Sequence, residues 1–229
     1  MPIESEGMKP ASRTEVITAF KTLPTGNIVD AMDLLGIRRG VIHGLKPLSM
    51  MQPRTVGFAF TVKQMARHHE AVGEALARHA QVIDELSSPG DVLVVDVGGR
   101  SDICSGGALL SMRSQIRGLS GWVVNGCIRD AREIVDLGFS VHCTGTSPIK
   151  SSPALETVGI NLPVEISGIQ VKSGDLIVAD DTGVVVVPAQ RALEVLNKAL
   201  QIQVTEQKIA ELMRAGLSFC DARQQSERK

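Results

Sequence analysis

Capping signals predict two helices at the start of the chain. Residues 12–15, Ser-Arg-Thr-Glu, form a capping box, in which the serine hydroxyl and the glutamate carboxylate bind free backbone N–H groups. A short helix is therefore predicted to begin here and to end at Pro24 and Gly26, because both residue types break helices. Asn27 is the expected cap of a second helix that runs through residues 30–32.

The middle of the chain alternates β-rich runs with helical runs. Runs rich in valine predict strands, while apolar residues at three- and four-residue spacing predict helices. The predicted strands cover residues 56–62, 91–97 and 122–124, and the predicted helices cover residues 70–86, 108–117 and 131–137. This alternation predicts an α/β fold with some parallel strand pairs.

The second half of the chain is predicted to be mostly β and to end in a long helix. Apolar runs at residue 141, 164–166, 169–171, 176–179 and 184–187 are separated by turns. From about Ala189 to Arg214, apolar and charged residues alternate at helical spacing, and no glycine or proline interrupts them, so a long amphipathic helix is predicted. No proline-, serine- or charge-rich linker divides the chain, so we predict one domain over residues 1–229, with its core at about 27–216 and a frayed tail beyond Asp221.

Composition and charge narrow the classes of function. The 229 residues include 24 Lys and Arg against 25 Asp and Glu, so no field of one sign exists to hold a nucleic acid backbone. Aromatic residues make up only 3%, which disfavours stacking platforms for bases. Residues 1–10 lack the pattern of a secretory signal, and no run reaches the roughly 18 apolar residues of a membrane helix. We expect a cytoplasmic protein that binds neither nucleic acid nor membrane and acts on a small polar molecule.

The cysteines and the common cofactor motifs support no disulfide framework, zinc site or nucleotide site. Cys104, Cys127, Cys143 and Cys220 form no C-x-x-C pair, so we expect buried, reduced thiols. No G-x-G-x-x-G follows a strand and no G-x-x-x-x-G-K-[ST] is present, so dinucleotide and phosphate-loop sites lose their main support.

Two predicted strand-to-helix junctions carry the candidate chemistry. Gly106 and Gly107 precede an apolar helical run, so backbone N–H groups there would be free to bind a carboxylate. The strand at residues 122–124 leads into Arg129 and Asp130, which could clamp a carboxylate and hold a hard cation, respectively. The alternative is an Arg-Asp cap on the helix that starts at Ala131, with the glycines serving only close packing.

Four segments also relate the chain to a known family. They are residues 56–62 (VGFAFTV), 106–110 (GGALL), 125–130 (NGCIRD) and 174–188 (GDLIVADDTGVVVVP). In these segments, and over about residues 27–216, the chain resembles the family that joins the regulator of ribonuclease activity A to the class II pyruvate aldolases. Those aldolases act on 4-hydroxy-4-methyl-2-oxoglutarate and 4-carboxy-4-hydroxy-2-oxoadipate.

The resemblance implies a swivelling β/β/α domain with N- and C-terminal helices, assembled as a homotrimer or homohexamer with sites between subunits. In the aldolases, the arginine matching Arg129 binds the substrate carboxylate and the aspartate matching Asp130 holds a divalent ion. The backbone amides of the matching segment, here Gly107, Ala108, Leu109 and Leu110, complete the pyruvate pocket. The implied cofactor is Mg²⁺, or Mn²⁺ in its place, because magnesium takes oxygen ligands and keeps several waters.

The resemblance also implies an acidic residue that reaches across the subunit interface from the C-terminal helix. Glu206 matches it best by position, although a solvated helix face beside Lys208 explains Glu206 equally well. His142 could serve as an acid or base, but an inward, hydrogen-bonded histidine is the other interpretation. Arg100 and Asp96 lie at the end of a predicted strand and are ranked below Arg129 and Asp130 as groups near the site.

The chain departs from the aldolase pattern at two positions. The aldolases place an acidic residue directly after the first glycine of Gly-x-x-Leu, where this sequence has Ala108. Family members often have Asp-Gly where this chain has Asn125 and Gly126. Metal and pyruvate binding could survive both changes, and proton transfer is the vulnerable step. Asp102 could replace the missing carboxylate, but an exposed turn aspartate explains it more simply.

These observations lead to one hypothesis and one rival. The hypothesis is a metal-dependent lyase that cleaves a C–C bond of a 2-oxo diacid to give pyruvate, by retro-aldol cleavage or by oxaloacetate decarboxylation. Arg129, Asp130 and Glu206 are its candidate catalytic residues, and Asp130 is its candidate metal ligand. The rival is a noncatalytic protein on the same scaffold that binds a ribonuclease or another protein partner.

Overall fold

The computed structural model describes residues 12–68 and 78–227 of the chain. Seven helices are present in this part: α1 (Arg13–Phe20), α2 (Thr25–Leu34), α3 (His79–Gln81), α4 (Ala108–Ile116), α5 (Ala131–Asp136), α6 (Ala192–Arg214) and α7 (Phe219–Glu227). A π-helical turn, Val82–Leu86, continues α3, and a 3-10 turn, Ala189–Arg191, precedes α6. No helix among the described residues is long and apolar enough to cross a membrane.

The strands of the described residues are short at both ends of the chain and long in the middle. They are β1 (Val41–Ile42), β2 (Lys46–Pro47), β3 (Thr55–Ala66), β4 (Asp91–Cys104), β5 (Gly121–Ile128), β6 (Val141–Thr146), β7 (Leu155–Ile160), β8 (Val164–Ile166), β9 (Ile169–Val171), β10 (Leu176–Ala179) and β11 (Val184–Val187). One sheet has the order β1-β11-β10-β3-β4-β5-β6-β2, with β7 paired to β3, and β8 pairs with β9 separately.

The centre of the sheet is parallel, which confirms the α/β prediction. Strands β3, β4, β5 and β6 pair in parallel, whereas β10 pairs antiparallel with β3 and β11 pairs antiparallel with β10. The carboxyl ends of parallel strands lie at one edge of a sheet, where ligands of open α/β sheets bind. The junctions after β4 and β5 therefore meet at the same edge.

The first half of strand β4, residues 91–97, is buried on both faces. Leu93 and Val95 pack into a core beneath α4 and α5, whereas Val92 and Val94 face a second core that includes β8 and β9. Successive side chains of a strand point to opposite faces, so a continuous valine-rich run of this kind fills both cores. The rigid centre of the sheet then fixes where the junctions at its edge begin.

Two charged contacts hold the N-terminal helices on the sheet. The Arg13 guanidinium pairs with Asp91 and lies 4.1 Å from the centre of the Phe58 ring. Asp180 accepts hydrogen bonds from the Thr25 backbone N–H at 3.1 Å and from the Thr25 hydroxyl at 2.9 Å. Asp180, far along the chain, therefore binds the first free N–H group of α2.

Several local predictions are corrected. The capping box at Ser12 is confirmed, but Asn27 lies inside α2, since that helix begins at Thr25. The predicted helix over residues 70–86 lies partly outside the described residues, and its described part ends in a π-helical turn. The tail that was expected to be frayed forms α7, where Ala222 is fully buried. Cys104, Cys127 and Cys143 are buried thiols as expected, but Cys220 is exposed.

Candidate active site

The side chains of Arg129 and Asp130 lie where β5 ends. Asp130 adopts the left-handed conformation, with φ 57° and ψ 41°, which turns the chain from β5 into α5. Its carboxylate forms no capping hydrogen bond with α5, although it occupies the capping position. A cap on that helix therefore does not explain this aspartate, and its side chain has another partner.

The partner of Asp130 is the glycine-rich junction before α4. Asp130 Oδ2 accepts a hydrogen bond from the Ala108 backbone N–H at 3.2 Å and lies 3.4 Å from Arg129 Nε. The Arg129 backbone N–H donates to the Gly106 carbonyl at 3.0 Å. The structure thus brings together the two junctions that the sequence singled out.

Neither glycine of this junction leaves room for a side chain. A Cβ atom on Gly107 would lie 2.5 Å from Asp130 Oδ2 and 2.8 Å from Arg129 Cγ. A Cβ atom on Gly106 would lie 2.5 Å from the Trp122 ring. The glycines are therefore required for close approach, on one side to Arg129 and Asp130 and on the other to the buried indole.

The first turn of α4 offers backbone donors beside these side chains. Within the described chain, the N–H groups of Leu109 and Leu110 have no hydrogen-bond acceptor, as is usual for the first turn of a helix. Leu109 is 79% exposed, so its side chain points into solvent rather than into the core. An anion near Arg129 could accept hydrogen bonds from this turn.

A cavity of about 350 Å³ lies next to Arg129 and Asp130. Its wall is completed by four residues that follow them in α5 or lie after β6: Ala131, Thr146, Ser147 and Pro148. Ser147 donates to the Asp102 carbonyl at 2.5 Å, which ties this wall to the end of β4. Thr146, Ser147 and Pro148 were not predicted to line the site, because no motif connects the end of β6 with the end of β5.

Asp130 has the donor chemistry of a magnesium ligand. It supplies a hard carboxylate, it is 38% exposed at the cavity, and its Oδ1 atom accepts no hydrogen bond from the described residues. No group of three or more His, Cys, Asp or Glu side chains that could hold a metal exists among the described residues. A cation here would have one protein carboxylate and would complete its shell with water and ligand oxygens, an arrangement that Mg²⁺ accepts.

The other acidic candidates at this edge of the sheet already have side-chain hydrogen-bond partners. Asp102 forms a two-bond pair with Arg100, at 2.9 and 2.5 Å, and this pairing lowers the pKa of the Asp102 carboxyl. Asp96 is buried and accepts from Lys63 Nζ at 2.5 Å and from Asn125 Nδ2 at 2.9 Å. Neither carboxylate lines the cavity, so neither takes the place of the acid missing at position 108.

His142 and Glu206 lie away from this cavity within one chain. His142 is fully buried, and its Nε2 donates to the Asp180 carbonyl at 2.9 Å. Burial lowers the pKa of His142, which is the inward, hydrogen-bonded histidine of the second interpretation. Glu206 lies on α6 and accepts from Asn27 Nδ2 at 2.7 Å, so that in one chain its carboxylate joins α6 to α2.

A buried polar cluster behind the glycine junction was also missed. Gln64, His79 and Ser105 are each at most 2% exposed and hydrogen-bond to one another. Burial lowers the pKa of His79 to about 4, and its ring lies 5.9 Å from that of Trp122. These residues lie on separate elements, β3, α3 and the junction after β4, so only the folded structure reveals the cluster.

Comparison with known proteins identifies the family. The family model described as RraA-like, Aldolase/RraA, matches residues 25–186, and the chain belongs to this family. A protein of Halalkalibacterium halodurans named "Putative 4-hydroxy-4-methyl-2-oxoglutarate aldolase" is 34% identical over 193 residues, which cover 84% of this chain and 86% of that protein. Protein DlpA of Legionella pneumophila is 32% identical over 87% of this chain, but the match spans only 32% of DlpA.

Solved structures with the same fold include members of this family. A crystal structure of a protein from Pseudomonas syringae pv. tomato has a TM-score of 0.82 and 27% identity, covering 94% of this chain and 100% of that one. RraAS2 of Streptomyces coelicolor, described as an unusual member of the RNase ES inhibitor RraA protein family, has a TM-score of 0.74 and 31% identity. That match covers 86% of this chain and 98% of RraAS2.

Proposed function

We propose that this protein is a divalent-metal-dependent lyase that cleaves a C–C bond of a 2-oxo diacid and releases pyruvate. One observation carries the proposal: the Asp130 carboxylate leaves its own helix uncapped and binds the Ala108 amide across the junction. Arg129 and Asp130 line the cavity, and this hydrogen bond joins the first turn of α4 to them at its side. Relatives named as aldolases for 4-hydroxy-4-methyl-2-oxoglutarate support the reaction class.

Each group would have a distinct task in this space. The Arg129 guanidinium binds the substrate carboxylate with two parallel hydrogen bonds. The free N–H groups of Leu109 and Leu110 face negative charge that develops on oxygen as the C–C bond breaks. Asp130 would hold Mg²⁺ or Mn²⁺, and the bound cation would supply Lewis-acid polarisation of the keto group.

Proton transfer separates the two candidate reactions. Retro-aldol cleavage requires removal of a proton from the substrate hydroxyl, whereas loss of carbon dioxide from oxaloacetate requires no base. Ala108 provides no carboxylate at the position where the aldolases have one. The wild-type protein is therefore expected to decarboxylate oxaloacetate faster than it cleaves hydroxy-oxo diacids, and Glu206 of a neighbouring copy is the proposed base that accepts the hydroxyl proton in that cleavage.

A homo-oligomer is part of the proposal. Leu109, Met112 and Ile116 lie at helical spacing on α4, and they are 79%, 44% and 67% exposed. This apolar stripe begins beside the candidate site and suits a second copy of the chain better than water. Light scattering should therefore show a trimer or hexamer. Ile116→Glu, at the end of the stripe far from the site, should shift the oligomer distribution toward smaller species.

The assay follows pyruvate release with Mg²⁺ or Mn²⁺ from oxaloacetate and from the two hydroxy-oxo diacids. Asp130→Asn keeps an acceptor for the Ala108 amide and removes the charge, so it should abolish the metal-dependent rate without unfolding the protein. Turnover unaffected by this substitution would rule out the metal role of Asp130. To test a shared site, inactive Arg129→Ala and Glu206→Gln chains are unfolded together and refolded, and activity should return only in the mixture.

The rival function is a noncatalytic regulator that binds another protein. The observation in its favour is Ala108, because loss of a site carboxylate is harmless to a protein that performs no chemistry. RraAS2, described as a member of an RNase inhibitor family, is a structural neighbour. If no substrate of the panel releases pyruvate with either metal, while a ribonuclease is inhibited by the wild-type protein and by Asp130→Asn alike, the rival is correct.

A further inference from the structure

The Gln64 side-chain amide directs its oxygen to Ser105 and its nitrogen to His79, and this orientation sets the hydrogen atoms of the buried cluster of Gln64, His79 and Ser105. The Gln64 Oε1 atom can only accept, so Ser105, at 2.9 Å, donates its hydroxyl proton to Gln64. The Ser105 oxygen must then accept from His79 Nε2 at 3.0 Å. His79 Nδ1, left without a proton, accepts from Gln64 Nε2 at 3.3 Å. The three side chains close a ring in which each donates once and accepts once.

This ring requires the neutral Nε2–H form of His79. A protonated imidazole would turn Nδ1 into a donor facing the Gln64 amide group, which also donates. The side chains of all three residues are shielded from water, so no solvent molecule could replace a lost partner. Burial acts in the same direction, because it lowers the pKa of His79 to about 4.

The ring is attached directly to the candidate site. Ser105 immediately precedes the two glycines, and its backbone N–H donates to the Cys127 carbonyl at 2.8 Å. On the next residue, the Gly106 carbonyl accepts from Arg129 N at 3.0 Å. The Trp122 ring lies against Gly106, and its Nε1 donates to Ser114 of α4 at 2.9 Å. The backbone before α4 is therefore fixed by two contacts, the hydrogen-bonded ring at Ser105 and the Trp122 indole at Gly106.

We propose that Gln64, His79 and Ser105 are positioning residues, which fix the Gly106–Gly107 backbone so that the first amides of α4 face Arg129 and Asp130. The ring takes no part in proton transfer, since none of its members lines the cavity. Its role in ligand binding rests on the proposed function, whereas its role in fixing the backbone does not. Two different measurements can therefore test the two parts.

The first measurement is the nitrogen NMR spectrum of ¹⁵N-histidine-labelled protein, with His79 assigned by its absence in His79→Gln. The Nδ1 signal should be that of an unprotonated nitrogen and the Nε2 signal that of an N–H group, at pH 7 and at pH 6. In Ser105→Ala, the backbone amide signals of Gly106 and Gly107 should shift and exchange faster with solvent. A protonated Nδ1 in the wild-type protein, or unchanged glycine signals in the variant, would overturn the ring.

The second measurement is calorimetric binding of oxalate, a planar dicarboxylate, in the presence of Mg²⁺. Ser105→Ala and His79→Leu should each weaken oxalate binding roughly tenfold. The corresponding loss of binding free energy is similar to the net contribution of about one hydrogen bond. His79→Gln, which retains an N–H donor near the Nε2 position, should keep most of the oxalate affinity that His79→Leu loses. Ser140→Ala is the matched control, since this buried serine bonds Thr55 at the opposite end of the sheet at 2.5 Å.

The outcomes separate this inference from the proposed function. Wild-type protein that binds no oxalate would contradict the pyruvate pocket, and the ring would then be judged by the NMR signals alone. Wild-type protein that binds oxalate, with Ser105→Ala binding equally well, would refute the positioning role while leaving the proposed function intact. Equal weakening by Ser140→Ala would show a general loss of stability and would also refute it.

Discussion

Gly107 stands so close to Asp130 that a Cβ atom at position 107 would lie 2.5 Å from Asp130 Oδ2. The backbone of Gly107 is extended, with φ −163°, a conformation open to any residue. Glycine is therefore needed here for space rather than for backbone freedom. The atoms that a side chain would meet all belong to the side chains of Asp130 and Arg129, which can rotate away without unfolding the protein.

Gly107→Ala is accordingly expected to fold and to lose function. The methyl group should displace the Asp130 carboxylate from the Ala108 amide and move Arg129, so pyruvate release should fall by at least roughly tenfold. Thermal unfolding should change little, because the clash is relieved by side-chain rotation. Gly183→Ala is the control, since a Cβ there meets nothing within 4 Å. Full activity in Gly107→Ala would mean that this contact does not matter.

Ala108→Asp should separate the two proposed reactions. A carboxylate in the first turn of α4 is favourable at a helix N-terminus and would restore the acidic residue that the aldolases have. Cleavage of the hydroxy-oxo diacids should rise at least roughly tenfold, within the range of general acid–base catalysis. Oxaloacetate decarboxylation should change much less. Ala108→Asn, of the same shape without the charge, should leave both rates near wild type, and equal gains in both reactions would argue against a proton-transfer role.

Stability should fall as the pH drops below neutrality, because two histidines are buried in the neutral form. Burial lowers the pKa of His79 from 6.5 to about 4 and also lowers that of His142. The unfolded chain then binds protons below pH 6.5 that the folded chain does not, so the free energy of unfolding decreases between about pH 6.5 and 4.

Urea unfolding at several pH values checks this dependence. His79 contributes a slope of up to roughly 1.4 kcal/mol per pH unit in that interval, and His142 adds a contribution of the same sign. His79→Gln should remove the contribution of His79 from the total slope. A free energy of unfolding that is flat from pH 6.5 to 5 would contradict the neutral, buried state of both histidines.

One thiol per chain should react with a maleimide under native conditions. Cys220 is exposed, whereas Cys104, Cys127 and Cys143 are buried, and burial raises the pKa of all three, that of Cys143 to about 11. Thiolate is the reactive form, so the buried thiols should react only after unfolding. Mass spectrometry should find one label, and none in Cys220→Ser. More than one label on the folded wild-type protein would contradict the burial of the other three.

Local sequence patterns predicted the strand end and the helix start that carry the candidate site residues. The free amides before α4 and the polar residues at the end of β5 follow from strand and helix periodicity, which needs only neighbouring residues. Strand β4 continues past Val97 through two glycines with positive φ, which a local pattern treats as a turn. Helix α7 was missed because its composition is polar, and only the burial of Ala222 indicates packing.

The parts that sequence could not provide are contacts between distant residues. Asp130 was equally compatible with capping α5, and only the turn of its backbone directs the carboxylate to the Ala108 amide. The His79 ring, on α3, meets Gln64 of β3 and Ser105, which directly follows β4. Such pairings depend on tertiary packing, which no short-range spacing rule encodes.

Leu109 contributes to α4 in two ways, through an outward-facing apolar side chain and through a backbone N–H beside Arg129. In the proposed oligomer, the first turn of α4 would contact both the neighbouring copy and the ligand. Self-association and ligand binding would therefore be thermodynamically linked. Apparent affinity measured in dilute solution would fall below that in concentrated solution, and a ligand would in turn tighten the assembly. Any ligand titration of this protein should therefore be repeated at several protein concentrations.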